Sequence, residues 1–266
     1  MSLPVKLISL VILSVIVLAV VLAGFLTPYD PVKINLEGIK ESPTLKHPCG
    51  TDSLGRDVLC RILYGGRISL GVSFIAAAVA LSIGFFVGLV SGFFGGVLDT
   101  VLMGVVDLTL SFPSLLLAIG ISVLLPPSVF TVMGAISIVG WAAFARLVRG
   151  QVLKIKEMPY IEAARSIGAS NGRIIAFYVL PQCLPIAIAM FGLKFSGYIL
   201  TEASLSFLGL GPQPPIPSWG NMISENRAYL LSEPWMVIFP GLAIALTALC
   251  FNLSGDFLFN EKKQGR

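Results

Sequence analysis

Apolar residues run along this chain in blocks about as long as a bilayer is thick, and the polar residues gather between them. A helix of about 20 apolar residues crosses a hydrocarbon core, and six blocks approach or exceed that length: 7–26, 68–94, 100–125, 128–147, 174–207 and 235–254. The pattern predicts an all-α membrane protein of six transmembrane helices, packed as one domain over residues 1–266. Outer loops fall at 27–67 and 208–234, and a cytoplasmic loop at 148–173. The first block could pass for a signal peptide, but its uncharged run of about 20 residues exceeds the roughly 7 to 15 of a cleavable core. It is read as the first span.

Composition supports the same class, because 56% hydrophobic residues, 12% charged residues and a mean hydropathy of +0.90 exceed what a soluble core of 266 residues buries. Six spans place both termini on one side. Lys6, six basic residues from Arg146 to Arg173, and Lys262, Lys263 and Arg266 make ten on that side; Lys33, Lys40, Lys46, Arg56, Arg61, Arg67 and Arg227 make seven on the other. The bias favours cytoplasmic termini in a multi-pass protein of the cytoplasmic (inner) membrane. Tyr29, Tyr64, Trp219, Tyr229 and Trp235 fall at the outer interface, where amphipathic rings anchor. The net charge of +4 follows loop topology, and no basic run interleaved with aromatics suggests nucleic-acid binding.

The stretch from Arg146 to Arg173 interrupts the apolar pattern with six basic residues and two glutamates. Pro159 suits a first helical position, Gly168 a left-handed stop and Ser170 the cap of the next helix. A short helix of about 12 to 15 Å is expected between two spans. Ile161, Ala163, Ala164 and Ile167 give it one apolar face, which fits a shallow cleft on a partner or rests on the membrane surface. The succession Glu162, Ala163, Ala164, then Gly168, then Leu180 and Pro181 resembles the EAA loop in the membrane subunits of ATP-binding cassette (ABC) importers. The resemblance implies a coupling helix that docks into a groove on a separate ATPase. Glu162, Ala163, Ala164 and Gly168 would carry the coupling, with Leu180 and Pro181 as support. Tyr178 departs from the family pattern, which has an aliphatic residue there.

Two outer segments extend the resemblance. Asp52 or Ser53 can cap a surface helix with Leu54, Val58, Leu59, Ile62 and Leu63 on one face and Arg56, Asp57 and Arg61 nearer the other. Residues 212–217 hold four prolines and should be extended and stiff. The runs 50–58, 64–70, 206–211, 217–220 and 239–244 look like the second, C-type permease subunit of dipeptide, oligopeptide and nickel importers. That resemblance implies a type I ABC importer permease fold working by alternating access. The implied partners are a paralogous permease subunit, two ATP-binding cassette ATPase subunits and an extracytoplasmic solute-binding protein. After residues 252–256 the tail departs from the charged, proline-ended segment of that group.

No residue pattern suggests catalysis. The sequence lacks a Gly-x-x-x-x-Gly-Lys-Ser/Thr loop, so ATP and Mg would be used by the partner ATPase subunits, with no cofactor bound by this chain. His47, Cys49 and Cys60 are too few for a metal site; Cys49 and Cys60 could instead pair as a disulfide in an oxidising compartment. Cys183 and Cys250 fall in spans as packing residues. Charges inside spans are costly, by at least about 2.5 to 3.5 kcal/mol each, which singles out Asp107, Lys194 and Glu202. Lys194 and Glu202 lie about 80° apart and roughly 12 Å along one helix, so both can face one cavity. They are expected to line a water-filled path for a zwitterionic or cationic solute with Asp107, or to bond to neighbouring helices as structural glue. In an ion-coupled carrier working without an ATPase, the alternative, the same three would relay protons. Gly84, Gly88 and Gly92 at four-residue spacing invite close approach by another helix. Pro181 and Pro185 should bend or loosen the fifth span.

Overall fold

The computed structural model describes the backbone of residues 3–264 and the side chains of residues 7–254. Helix α1 (Leu3–Val21) continues after a break at Leu22 as the single turn α2 (Ala23–Leu26), and residues 27–57 then lead to α3 (Val58–Phe94). Helices α4 (Gly96–Ser111), α5 (Ser114–Val123) and α6 (Val129–Lys156) follow. Next come α7 (Pro159–Ser166), α8 (Asn171–Ile174), α9 (Leu180–Phe207), α10 (Trp219–Asn226) and α11 (Trp235–Gln264).

Among the described residues, four stretches are long and apolar enough to cross a membrane: Val58–Phe94, Val129–Lys156, Asn171–Phe207 and Trp235–Ser254. The expected third span is not one helix, since α4 and α5 meet at 89°. Phe112 is extended ahead of Pro113, because a residue before proline is forced out of the helical region and proline has no N–H to offer the preceding turn. Counted as one crossing, the bent pair makes five. The first block is helical, but its described apolar part, Leu7–Val21, is shorter than the other spans. The charge bias also changes. Arg146 and Arg149 lie within α6 and pair with Asp107 and Asp99 of α4, and Lys6, Lys262, Lys263 and Arg266 lie outside the described side chains.

Helices α3 and α6 form the most extensive contact in the bundle. Ala76, Ala80, Gly84, Gly88 and Gly92 recur every four residues along α3, and all five are buried. A Cβ at Gly84 or Gly88 would run into the carbonyls of Trp141 or Ala145, and one at Gly92 would lie 2.9 Å from Val152 Cβ. The missing side chains therefore set the distance between the two helices. Around this seam, Val132, Ile136 and Phe144 of α6 join Phe195, Ile199 and Leu205 of α9 and Ile244 of α11 in the main core.

The end of the bundle where α3 begins is closed by buried charges that the amphipathic pattern assigned to a surface. Residues 52–56 form a turn, not a helix: Asp52 Oδ1 accepts from Leu54 N at 2.9 Å and Arg56 N at 3.0 Å. Gly55 adopts φ +71°, a conformation that ends a helix. The cap of α3 is Asp57, which accepts from Cys60 N at 2.6 Å while its other oxygen lies 2.7 Å from His47 Nδ1. Arg56, Asp57 and Arg61 are buried together with Val58 and Leu63, while Leu54 is exposed, so the face expected to be polar is covered as well. Arg56 lies 2.7 Å from Asp52 and 2.8 Å from Glu225, and Arg61 lies 3.5 Å and 3.1 Å from the same carboxylates. Two guanidiniums thus meet two carboxylates with no net charge, which is what makes their burial tolerable.

Glu225 comes from α10, a helix the proline-rich reading of 208–234 did not foresee. Its Trp219 is buried and donates to the Ile62 carbonyl at 2.9 Å, so it is a core residue and not an interface anchor. Trp235 donates to the Thr51 carbonyl at 3.1 Å. The segments 27–67 and 208–234 are one folded unit.

Glu225→Gln leaves two buried guanidiniums facing one carboxylate and should destabilise the protein by about 3 to 5 kcal/mol, seen as a lower melting temperature in detergent. Lys40→Ala, which removes a half-buried pair at 4.0 Å from Glu233, should leave the melting temperature nearly unchanged. Gly88→Leu should abolish monodisperse purification, whereas Gly104→Ala, with open space at its Cβ, should be neutral or mildly stabilising.

Candidate functional site

The short helix α7 forms for the reasons its sequence predicts. Met158 is extended and Pro159 takes the first helical position, where its missing N–H costs nothing. At the other end Gly168 has φ +80°. Gly168 N donates to Arg165 O at 2.9 Å and Ala169 N to Ala164 O at 3.0 Å, so the last carbonyls are satisfied by a left-handed stop. Ser170 accepts from Arg173 N at 3.4 Å and opens α8.

The apolar face of α7 is divided. Ile161 and Ala164 are buried against Val152 and Ile155 of α6 and against Ile174, Val179 and Cys183. Ala163 and Ile167, expected on the same face, point outward, and Ile167 is 84% exposed. The surface open to a partner therefore comprises Glu162, Ala163, Arg165, Ser166, Ile167 and Gly168. Ala164 is a floor residue beneath it.

A polar and aromatic contact that the sequence did not reveal holds α7 to the base of α9. Tyr160 Oη donates to Gln182 Oε1 at 3.1 Å, and Gln182 Nε2 lies 2.9 Å from Tyr160 Oη and donates to the Tyr178 carbonyl at 3.0 Å. The Tyr160 and Tyr178 rings stack with centroids 6.2 Å apart. Tyr178 thereby has a specific partner on α7. Leu180 is half-buried and Pro181 exposed. The backbone just before them forms a π turn over Ile175–Val179; Pro181 has no N–H to return to the preceding turn, and the wider hydrogen-bond step falls beside it. The stretch Asn171–Phe207 nevertheless runs as one continuous span.

The three charges expected in one cavity are not brought together. Glu202 is fully buried; one carboxylate oxygen accepts from Ser206 Oγ at 2.8 Å and the other has no hydrogen-bond partner among the described residues. Ser69 Oγ of α3 accepts from Trp219 N of α10 at 3.2 Å. Lys194 is exposed on α9. Asp107 of α4 pairs with Arg146 of α6, with 66% and 55% of their side chains exposed. Arg146, counted from the sequence as a loop cation, is therefore a partner of the span charge.

In the segment ahead of α3, Cys49 and Cys60 are free thiols. Cys60 Sγ donates to the Tyr29 carbonyl at 3.1 Å. Burial, assisted by the Asp57 carboxylate, pushes the Cys49 thiol above its ordinary pKa. His47 is engaged by Asp57, and among the described residues no cluster of three or more His, Cys, Asp or Glu could hold a metal ion.

Comparison with known proteins places this geometry among transport proteins. The family described as the binding-protein-dependent transport system inner membrane component matches residues 84–260, and the N-terminal TM domain of oligopeptide transport permease C matches residues 4–46. The dipeptide transport system permease protein DppC of Alkalihalophilus pseudofirmus is 41% identical over 94% of this chain and 83% of its own length. The glutathione transport system permease protein GsiD of Pectobacterium atrosepticum is 42% identical over 89% and 79%. Among solved structures, an amino acid ABC transporter described with histidines matches with a TM-score of 0.58 at 16% identity, over 77% of this chain and 94% of that one. That match supports the fold alone.

If Tyr160 and Gln182 hold α7 to α9 through their hydrogen bonds, Tyr160→Phe and Gln182→Leu should each lower the melting temperature by an amount equivalent to about 0.5 to 1.5 kcal/mol. The double variant should lose little more than either single one, because both remove the same contact. Additive losses would show that the two side chains act separately.

Proposed function

Because the chain belongs to the family of binding-protein-dependent transport system inner membrane components, as a multi-pass transport subunit without enzymatic activity of its own, we propose that it works as the C-type permease of an ATP-driven importer. The observation that carries this reading is α7. It presents Glu162, Ala163, Arg165 and Ile167 outward while Ile161 and Ala164 fix it to α6 and α9. Its contacts run both to α6 and to the base of α9, so a displacement of the helix bears on both spans. Docked in a cleft of an ATPase subunit, it would pass a displacement into α6 and α9. Gly168 lets the chain turn back at φ +80°, and Leu180 and Pro181 begin the span that receives the movement.

The topology consistent with this role has six crossings, with α1 and α2 as the first and the bent α4 and α5 pair as the third. Both termini and α7 then lie in the cytoplasm, and the unit formed by the outer loops faces the solute-binding protein. A paralogous permease would complete the path and two ATPase subunits would use ATP and Mg, giving alternating access. Peptide-class solutes are favoured over nickel, since the relatives compared are named for dipeptides and glutathione. A self-sufficient ion-coupled carrier is less consistent with the geometry, because the relay it needs from Asp107, Lys194 and Glu202 is dispersed over separate surroundings.

Purification of the tagged chain in mild detergent tests the reading. ATPase subunits should copurify, and solute-stimulated ATP hydrolysis should be lost or uncoupled in Gly168→Asp, which places a side chain and a charge at a left-handed position on the docking surface. A chain that purifies alone and transports its solute without ATP would overturn it.

A further inference from the structure

Arg67 is the last charged residue of α3 before an uncharged run, 68–94, of about 40 Å, longer than a hydrocarbon core of about 30 Å. It therefore stands at the edge of the apolar part of the span, where long basic side chains reach the membrane interface. Its Nε donates to the Val20 carbonyl at 2.9 Å and its Nη2 to the Val21 carbonyl at 2.7 Å, while the guanidinium lies 4.9 Å from the centre of the Tyr64 ring. These contacts cap the end of α1 without supplying a negative charge. Arg56, Arg61, Arg146 and Arg149 each meet a carboxylate; among the described residues Arg67 meets none, and it is exposed. Beside it a groove of about 480 Å³ opens between α1, α3, α9 and α11. Arg67 supplies the one charge in its lining among the described residues. The remainder is apolar, with Val17 and Val20 on α1 facing the rings of Phe74, Phe191, Phe195 and Phe251, whose neighbouring centroids lie 4.4 to 6.2 Å apart. Phe74 follows Arg67 by seven residues, about 10 Å along α3, so the groove runs from a cation into the uncharged part of the span. Gly71 leaves its floor open, since a Cβ there would meet nothing within 4 Å.

We propose that this groove binds an anionic phospholipid of the surrounding bilayer, with its phosphate on the Arg67 guanidinium and an acyl chain over the four phenyl rings. The order of chemistry along the groove, cation first and hydrocarbon after, matches the order along a lipid. A guanidinium has five N–H donors, and the two carbonyls of α1 leave Nη1 for a phosphate oxygen. Charge-assisted bonds of this kind are stronger than neutral ones. A water-soluble zwitterion fits poorly here, because the lining holds no acidic group for an ammonium. Since the same guanidinium holds the last carbonyls of α1, the lipid would join α1 to α3 at its head and fill the space between α1, α9 and α11 with its tail. The proposal needs only a membrane around the chain, and stands apart from the importer reading.

The test uses the full chain purified in mild detergent with whatever subunits accompany it, titrated with dioleoylphosphatidylglycerol or dioleoylphosphatidylcholine while bound lipid is counted by native mass spectrometry. One phosphatidylglycerol should be held about fivefold more tightly than phosphatidylcholine, the effect of a single basic residue near a lipid surface, and should raise the melting temperature. Arg67→Gln should bring the two lipids to equal affinity at that site. Gly71→Leu, whose added side chain enters open space in the groove, should remove the site for both lipids and abolish the rise, with the melting temperature of the lipid-free protein near that of the wild type. Arg67→Gln also uncaps α1, so if it fails to fold the outcome rests on Gly71→Leu. Equal retention of the two lipids by the wild type, or a preference for phosphatidylglycerol that survives Gly71→Leu, would overturn the site. Loss of the accompanying subunits from Gly71→Leu would overturn it as well, and assign the groove to subunit packing.

Discussion

The approach of α3 to α6 is the constraint from which the remaining packing follows. Five small residues at four-residue spacing leave nothing between the helices but backbone and the Cβ atoms of α6. Van der Waals contact and polar groups drive association in a membrane, where apolar burial between helices gains little, so close backbone approach takes the place of a large greasy core. With that distance fixed, α9 and α11 close the bundle on one side through Phe195, Ile199 and Ile244. On the other side α4 is held to α6 by Asp99 and Arg149.

Each end of the seam is finished by different chemistry. At one end, two arginines and two carboxylates are buried together, and removing one carboxylate leaves two buried guanidiniums facing a single partner. That end is built to be all or nothing. At the other, α7 rests on a small apolar floor of Ile161 and Ala164, supplemented by one tyrosine and glutamine contact of ordinary neutral strength. The two ends of one helix pair thus differ in how much free energy is needed to disturb them.

What the sequence revealed tracks how local the determining physics is. Pro159, Gly168 and Ser170 act on their own turns, and α7 was legible from them. Gly84, Gly88 and Gly92 announced a close approach but not its partner, and Ala76 and Ala80 passed as ordinary span residues. The buried charge cluster was misread because amphipathic spacing treats Arg56, Asp57 and Arg61 as solvent-facing, whereas Glu225 lies 169 and 164 residues from the two arginines and His47 lies 10 residues from Asp57. The bend at Phe112 and Pro113 was available from proline chemistry, yet an unbroken apolar count concealed it. Arg146 looked like a loop cation since its neighbours in sequence are basic; only the fold sets it against Asp107.

The π turn at Ile175–Val179 has a geometric meaning for the buried stripe that crosses it. Ile174, Val179, Cys183 and Ala187 all face the inner core, yet the first step is five residues and the later ones are four. On a regular α-helix, at about 100° per residue, a five-residue step would carry Ile174 roughly 140° around from Val179. The wider π turn advances the chain more slowly in angle per residue and returns Ile174 to the common side. It acts as a phase corrector, letting the polar connection around α7 and a membrane span with mismatched periodicities share one continuous packed face.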